Sequence, residues 1–259
     1  MDNRPIGIFD SGIGGLTVYK EIIKKFPNEN IIYVADTKNF PYGNKSKEDI
    51  IKFSKYIIDF FISKNVKAII IACGTATSQA LDTLKSIYSI PIIGIIEPTA
   101  LYIAKKEGIH NVGILATEGS IRSKVWYNSV FNYRPDLNII NKSCPLLASI
   151  AEKGLFEDSS TKSIIHEYLQ DLHLVDCLIL GCTHYPLFEN IFKSELSNNV
   201  EILNVGTILA NFLSSNSIFS TSTKDSFGKL DIYLTKHNYN FINLSKKILS
   251  KDINSINIC

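Results

Sequence analysis

Two cysteines sit in matched settings along this chain. Cys73 follows the apolar run 68–72 and precedes Gly74 and Thr75, and Cys182 follows the apolar run 177–180 and Gly181 and precedes Thr183 and His184. A thiol placed after a strand and before a helix faces the positive end of the helix, which favours the thiolate. Both thiols are therefore expected to ionise near neutral pH. Thr75 and Thr183 each offer a hydroxyl that could bond a carboxylate, and His184 could tune Cys182 or relay its proton. A lone cysteine is more often an inert core residue. Matched positions in two halves of a chain, each trailed by polar side chains, argue instead for a pair of acid/base groups. The remaining thiols, Cys144, Cys177 and Cys259, read as packing, as does Trp126. No Cys-x-x-Cys pair occurs, so zinc or dithiol chemistry has little support. An odd count of five in a chain of this length argues against a disulfide scaffold.

Two other strand ends carry candidate chemistry. Asp10 and Ser11 lead into Gly12, Gly14 and Gly15. Glycines after a strand let the backbone approach a ligand, and the helix they open can bind an anion. Their spacing is not the dinucleotide fingerprint, however, and no Gly-Lys-Ser/Thr follows, which argues against a nucleotide. Asp10 suits an ammonium group better than a phosphate. Pro41, Tyr42 and Gly43 read by themselves as a surface turn, with Tyr42 as a secondary candidate for substrate contact.

Positioning these groups requires alternating strands and helices. Short runs rich in Ile and Val at 6–9, 31–35, 68–72, 92–95, 112–116, 177–180 and 201–204 predict strands. Between them, Ile50, Phe53, Ile57, Phe60 and Phe61 form a helical apolar stripe behind Ser46, a candidate N-cap. This alternation predicts α/β architecture with parallel sheets covered by helices on both faces. Ligands of such folds sit beyond the carboxyl ends of the strands.

The chain also resembles itself. The stretch 5–12 parallels 111–118, and 66–75 parallels 175–184, in the same order and at nearly equal separation. Two such pairs predict a duplicated unit. The expectation is two similar doubly wound lobes, related by a pseudo-two-fold axis, with the active site in the cleft between them. The first lobe would comprise 1–97 plus 210–259 and the second 98–209, with a hinge between Pro91 and Pro98.

Bulk properties fit a globular protein. The 259 residues are 45% hydrophobic and 20% charged, which argues against disorder. A net charge of +2, with lysines scattered among acids, offers no basic stripe for nucleic acid. The opening residues carry Asp2, Arg4 and Asp10 and lack a signal-peptide core, and no apolar run matches a bilayer. A cytoplasmic protein with no membrane partner is the expectation.

On these residues the chain resembles the glutamate racemases. The matching segments are Gly-Ile-Phe-Asp-Ser-Gly-Ile-Gly-Gly-Leu-Thr at 7–17, Ala-Asp-Thr at 35–37, Pro-Tyr-Gly at 41–43, Ala-Cys-Gly-Thr at 72–75, Ala-Glu-Lys-Gly at 151–154 and Gly-Cys-Thr-His-Tyr-Pro at 181–186. They run through about the first four-fifths of the chain in family order. The resemblance implies a cofactor-independent isomerase that supplies D-glutamate for peptidoglycan, hence cell wall and cell shape. It implies that Cys73 and Cys182 are the catalytic thiols, assisted by Asp10, His184 and Glu152. It places Asp10, Ser11, Pro41, Tyr42, Gly43, Gly74, Thr75, Thr117, Ser120, Thr183 and His184 against the substrate. No metal or other cofactor is implied, and a homodimer is allowed, since relatives are often dimers.

Three positions depart from the family pattern. Gly74 stands where Asn is usual, Ser120 where Thr is usual, and Val205-Gly206 near the usual Asp-Ser. Losing an amide that bonds a charged substrate removes roughly 1.5–3 kcal/mol, or about ten- to a hundredfold in affinity. A water or a backbone N–H could restore it, and the expectation is an active enzyme that tolerates Gly74. Two alternatives share the scaffold: a racemase for aspartate or another acid, and a non-catalytic protein that binds a partner such as DNA gyrase.

Overall fold

The structure, a computed structural model, describes residues 2–223, 226–249 and 253–259. Among these described residues, ten strands form two sheets. β1 (Ile6–Asp10), β2 (Ile31–Ala35), β3 (Ala68–Ile71) and β4 (Ile92–Gly94) join β9 (Leu230–Leu234) and β10 (Ser255–Ile258) in the order β10-β9-β2-β1-β3-β4. β5 (Asn111–Ala116), β6 (Asn138–Ser143), β7 (Cys177–Leu180) and β8 (Glu201–Asn204) form the second sheet in the order β6-β5-β7-β8. Every pairing is parallel. β1, β2, β3 and β7 are buried along their whole length, which is why their sequences are unbroken apolar runs.

The four-strand order β2-β1-β3-β4 recurs as β6-β5-β7-β8, so the self-similarity of the sequence is a repeated topology. Cys73 follows β3 and Cys182 follows β7, at equivalent places.

Helices cover the sheets: α1 (Gly15–Lys25), α2 (Lys47–Ser63), α3 (Gly74–Ile87), α4 (Ile96–Ala104), α5 (Glu118–Arg122), α6 (Val125–Tyr133), α7 (Leu147–Glu152), α8 (Ser159–Leu169), α9 (Glu189–Glu195), α10 (Val205–Asn216) and α11 (Tyr239–Leu249). Ser46 caps α2 as expected, its hydroxyl accepting from Asp49 N at 3.1 Å. Ile50, Ile57 and Phe61 on the expected stripe are buried, while Phe53 and Phe60 are half-buried.

Strand ends differ from the sequence expectation by a residue at most, but β6, β9 and β10 were not expected. β6 and β10 are edge strands with much polar content, and β9 alternates buried with half-buried residues. The expected lobe boundaries at 97/98 and 209/210 fall within α4 and α10. These helices pack against each other, and α10 also packs along α1. The chain thus passes between the sheets in helices that are themselves packed, not in exposed linkers. No helix among the described residues is long and apolar enough to cross a membrane.

Candidate active site

A cavity of about 310 Å³ lies beyond the carboxyl ends of both sheets. The first sheet contributes Ser11 after β1, Cys73, Gly74 and Thr75 at the β3–α3 junction, and Pro41, Tyr42 and Gly43 around the 3-10 turn Tyr42–Asn44. The second contributes Thr117 after β5 and Cys182, Thr183 and His184 after β7. Asp10, Glu152 and Ser120 stand behind this lining.

The two thiols have different surroundings. Cys73 is the N-cap of α3 and 5% exposed, and its Sγ lies 3.8 Å from Ser11 Oγ. Burial pushes its thiol up to about 12, and the Asp10 carboxylate adds to the rise; the Ala76 N–H and Ser11 hydroxyl oppose it more weakly. The shift runs against the thiolate expected at the helix start: desolvation outweighs the hydrogen bonds that favour the charge and disfavours ionisation of Cys73. Cys182, 6% exposed, does not stand at the start of an α-helix as Cys73 does. It leads into a 3-10 turn, Tyr185–Phe188, and its Sγ lies 3.7 Å from His184 Nδ1.

His184 is anchored from behind. Its Nε2 lies 2.9 Å from Glu152 Oε1, and the same oxygen accepts from Ile13 N at 2.6 Å. Burial alone would lower the imidazole, but hydrogen bonds to Cys182 and Glu152 overcome it and hold His184 well above its usual range. These contacts favour the protonated ring, which can donate to the carboxylate on one side and to sulfur on the other. The Phe40 ring covers it, with centroids 5.8 Å apart.

Asp10 is fully buried. It accepts from Gly12 N at 2.9 Å and from Thr183 Oγ1 at 3.0 Å, while Thr17 Oγ1 donates to Thr183 O at 2.9 Å. Burial raises the Asp10 carboxyl against the opposing pull of His184, Gly12 and Thr183. Its oxygens orient the Cys182–His184 segment and do not open on the cavity.

The glycine-rich segment also differs from its sequence reading. Added at Gly12, a Cβ would collide with Glu152 Oε1, and at Gly14 with the His184 ring and Thr183 Oγ1. These glycines let the first lobe approach the second, where the sequence suggested approach to a ligand. Gly74 does the same from another side: a Cβ there would meet the backbone carbonyl of Gly181 well inside 3.0 Å.

Hydroxyls complete the wall. Thr75 Oγ1 and Thr117 Oγ1 share a hydrogen bond of 2.8 Å across the lobes, and Thr117 donates to Ser120 Oγ at 2.9 Å. Tyr42 is buried, not a surface turn residue, and its hydroxyl donates to Asp36 Oδ2 at 2.5 Å, away from the cavity. Tyr42 therefore presents ring and backbone, not its hydroxyl.

Sequence reasoning missed Phe40, Asn44, Glu118, Pro145, Ala148 and Ser149, which also line the cavity. Phe40 and Asn44 flank Pro41-Tyr42-Gly43, and Glu118 follows Thr117, so adjacency was a usable signal. Pro145, Ala148 and Ser149 belong to no motif. Ala148 and Ser149 lie on the first turn of α7 and Pro145 just before it, and the same helix delivers Glu152 from its other end. Among the described residues lining the cavity, none is Lys or Arg, and no group of His, Cys, Asp and Glu among the described residues could hold a metal. Anion binding would fall to hydroxyls, His184 and the N–H groups opening α3, which has no side-chain cap.

Comparison with known proteins gives a consistent result. Residues 6–213 match the Asp/Glu/Hydantoin racemase family. The chain is 41% identical over 207 residues to the glutamate racemase of Lactococcus lactis subsp. cremoris strain MG1363, covering 80% of this chain and 76% of that one. It is 40% identical over 252 residues to the glutamate racemase of Sulfurihydrogenibium sp. strain YO3AOP1, covering 96% and 95%. The crystal structure of glutamate racemase from Francisella tularensis in complex with D-glutamate superposes with a TM-score of 0.89 at 31% identity, covering 100% of this chain and 98% of that one.

Proposed function

Because this chain belongs to the Asp/Glu/Hydantoin racemase family, we propose that it interconverts L- and D-glutamate with two cysteines and no cofactor. The observation that carries this reading is that Cys73 and Cys182, from equivalent positions of two sheets, line one cavity. Inverting a carbon requires a base on one face and an acid on the other. In this scheme Cys182 removes the α-proton of L-glutamate and Cys73, whose thiol is pushed up by burial, returns one from the opposite face. His184, held protonated against Glu152, stabilises the negative charge on Cys182. After turnover Cys73 is the thiolate, ready for D-glutamate.

Ser11, Thr75, Thr117 and Thr183, with backbone N–H groups at Gly43 and at the start of α3, would hold the two carboxylates. Hydroxyls that tighten on the α-carboxylate as its charge grows lower the barrier most. The product would serve peptidoglycan synthesis in the cytoplasm, and a homodimer is compatible with the scheme. We place the lobe crossings at α4 and α10.

Purified protein with L-glutamate and no added cofactor should lose optical rotation towards zero. In heavy water, the first D-glutamate formed should carry deuterium at Cα. Constant rotation in both glutamate and aspartate would refute racemisation; turnover of aspartate alone would reassign the substrate.

A further inference from the structure

We propose that Gln79 is a positioning residue that latches the two lobes together over the cavity, by donating from Nε2 to Gly119 O. Thr75 and Gln79 lie one helical turn apart on α3, so both side chains leave the same face. That face meets the first turn of α5. Gln79 Nε2 lies 2.8 Å from Gly119 O, which also accepts Ser123 N at 3.1 Å within its own lobe. Thr75 bonds Thr117 beside it. Gly119 is gripped from a second side as well, since a Cβ there would lie 2.8 Å from Gly43 O. Three elements therefore meet at one residue: α3 and the Tyr42–Asn44 turn from the first lobe, α5 from the second. The gripped turn begins with Thr117 and Glu118, both of which line the cavity, whereas Gln79 does not.

Moving α5 away from α3 at this edge of the cleft breaks this contact. A donor that can be lost by rotating one side chain is a reversible fastening, unlike the apolar packing of α4 with α10. The closed state brings Thr117 to Thr75; with the latch broken, Thr117 leaves the α3 N-terminus and the carboxylate-binding wall comes apart. Gln79 acts on the reaction through Thr117 and does not touch the reacting atoms. The kinetic consequence rests on the racemase reading, but the opening itself does not.

Thiol alkylation separates the two. Cys73 and Cys182 are 5% and 6% exposed and lie in the cleft, while Cys144 and Cys177 are 0% exposed and lie within the second lobe. Iodoacetamide labelling of the full-length protein, read by mass spectrometry at each cysteine, measures cleft opening without turnover. Gln79→Ala and Gln79→Glu, the second keeping the length but removing the donor at pH 8, should both speed labelling at Cys73 and Cys182. The expected gain over the parent is about two- to tenfold, with Cys144 and Cys177 unchanged. KM for glutamate should rise by a similar factor with kcat unchanged or raised. Parent-like labelling in either variant, or an equal rise at all four thiols, overturns the latch. A parent that fails to turn over glutamate refutes the racemase reading, and the labelling rates then decide the role of Gln79 by themselves.

Discussion

Gly74→Asn restores the residue usual among the glutamate racemases, and the structure says it should harm this protein. A Cβ at 74 would sit well inside 3.0 Å of Gly181 O. That oxygen belongs to backbone, so no side-chain rotation can relieve the contact. Both chain segments are held at their strand ends: Ala72 N bonds Phe9 O at 2.9 Å, and Gly181 N bonds Leu115 O at 2.8 Å. Relief must come from moving the lobes apart by several tenths of an ångström. Overpacking of this kind costs about 1–3 kcal/mol, which lowers the closed population by roughly five- to 150-fold. The separation would also stretch the Thr75–Thr117 and Gln79–Gly119 hydrogen bonds. Gly74→Ala carries the same Cβ without the amide and isolates the steric part. Both variants should lose kcat/KM for glutamate, measured by circular dichroism in each direction, with Asn no better than Ala beyond about threefold. Parent-like or higher activity in Gly74→Asn would refute the reasoning, because it would show that the lobes accommodate the side chain at no cost.

Other outcomes follow from the same geometry. Cys73→Ser should reduce racemisation by at least a hundredfold, in line with loss of a positioned acid/base group, while its melting temperature stays close to the parent's. Glu152→Gln removes a charged partner from both His184 and Ile13 N, a loss of about 1.5–3 kcal/mol for each such bond, and lets the imidazole fall from its raised position. A group raised on folding contributes stability that is full below its unfolded value, here the ordinary 6.5, and disappears as pH rises through the folded value. The melting-temperature gap between parent and Glu152→Gln should therefore be widest below pH 6.5 and narrow as pH rises; a gap that widens would contradict the assignment. Because L- and D-glutamate have equal free energies, kcat/KM must be equal in the two directions at every pH. The unlike settings of Cys73 and Cys182 can then appear only as unequal kcat and KM, and symmetric values of both would argue that the two sulfurs are equivalent.

The residues that fill the cavity wall were legible where chemistry and a strand end coincide. Cys73, Thr75, Thr117, Cys182 and His184 each follow a buried parallel strand, and buried parallel strands are the elements whose sequence is least ambiguous. What stayed hidden was how the lobes meet. The Asp10–Gly15 segment reads as a ligand-binding loop because glycines after a strand usually are one. Here the space beside Gly12 and Gly14 is filled by Glu152 and His184, residues more than 130 positions away, and no periodicity encodes that. The same holds for the pKa of Cys73. Its position at a helix start is visible in sequence, but its burial under the second lobe, which reverses the expected shift, is not. β6 and β10 were missed for a related reason: at sheet edges only one neighbour constrains the side chains, so polar residues are tolerated and the apolar signature fades. Closure links these cases. Glycine at 12, 14, 74 and 119 leaves backbone bare on each surface that touches the other lobe, so the lobes approach to hydrogen-bonding distance. Such closeness seals buried thiols from water, where a thiolate would otherwise be solvated and a weaker base towards carbon. The glycines thus serve proton transfer indirectly, by fixing how near two walls can stand.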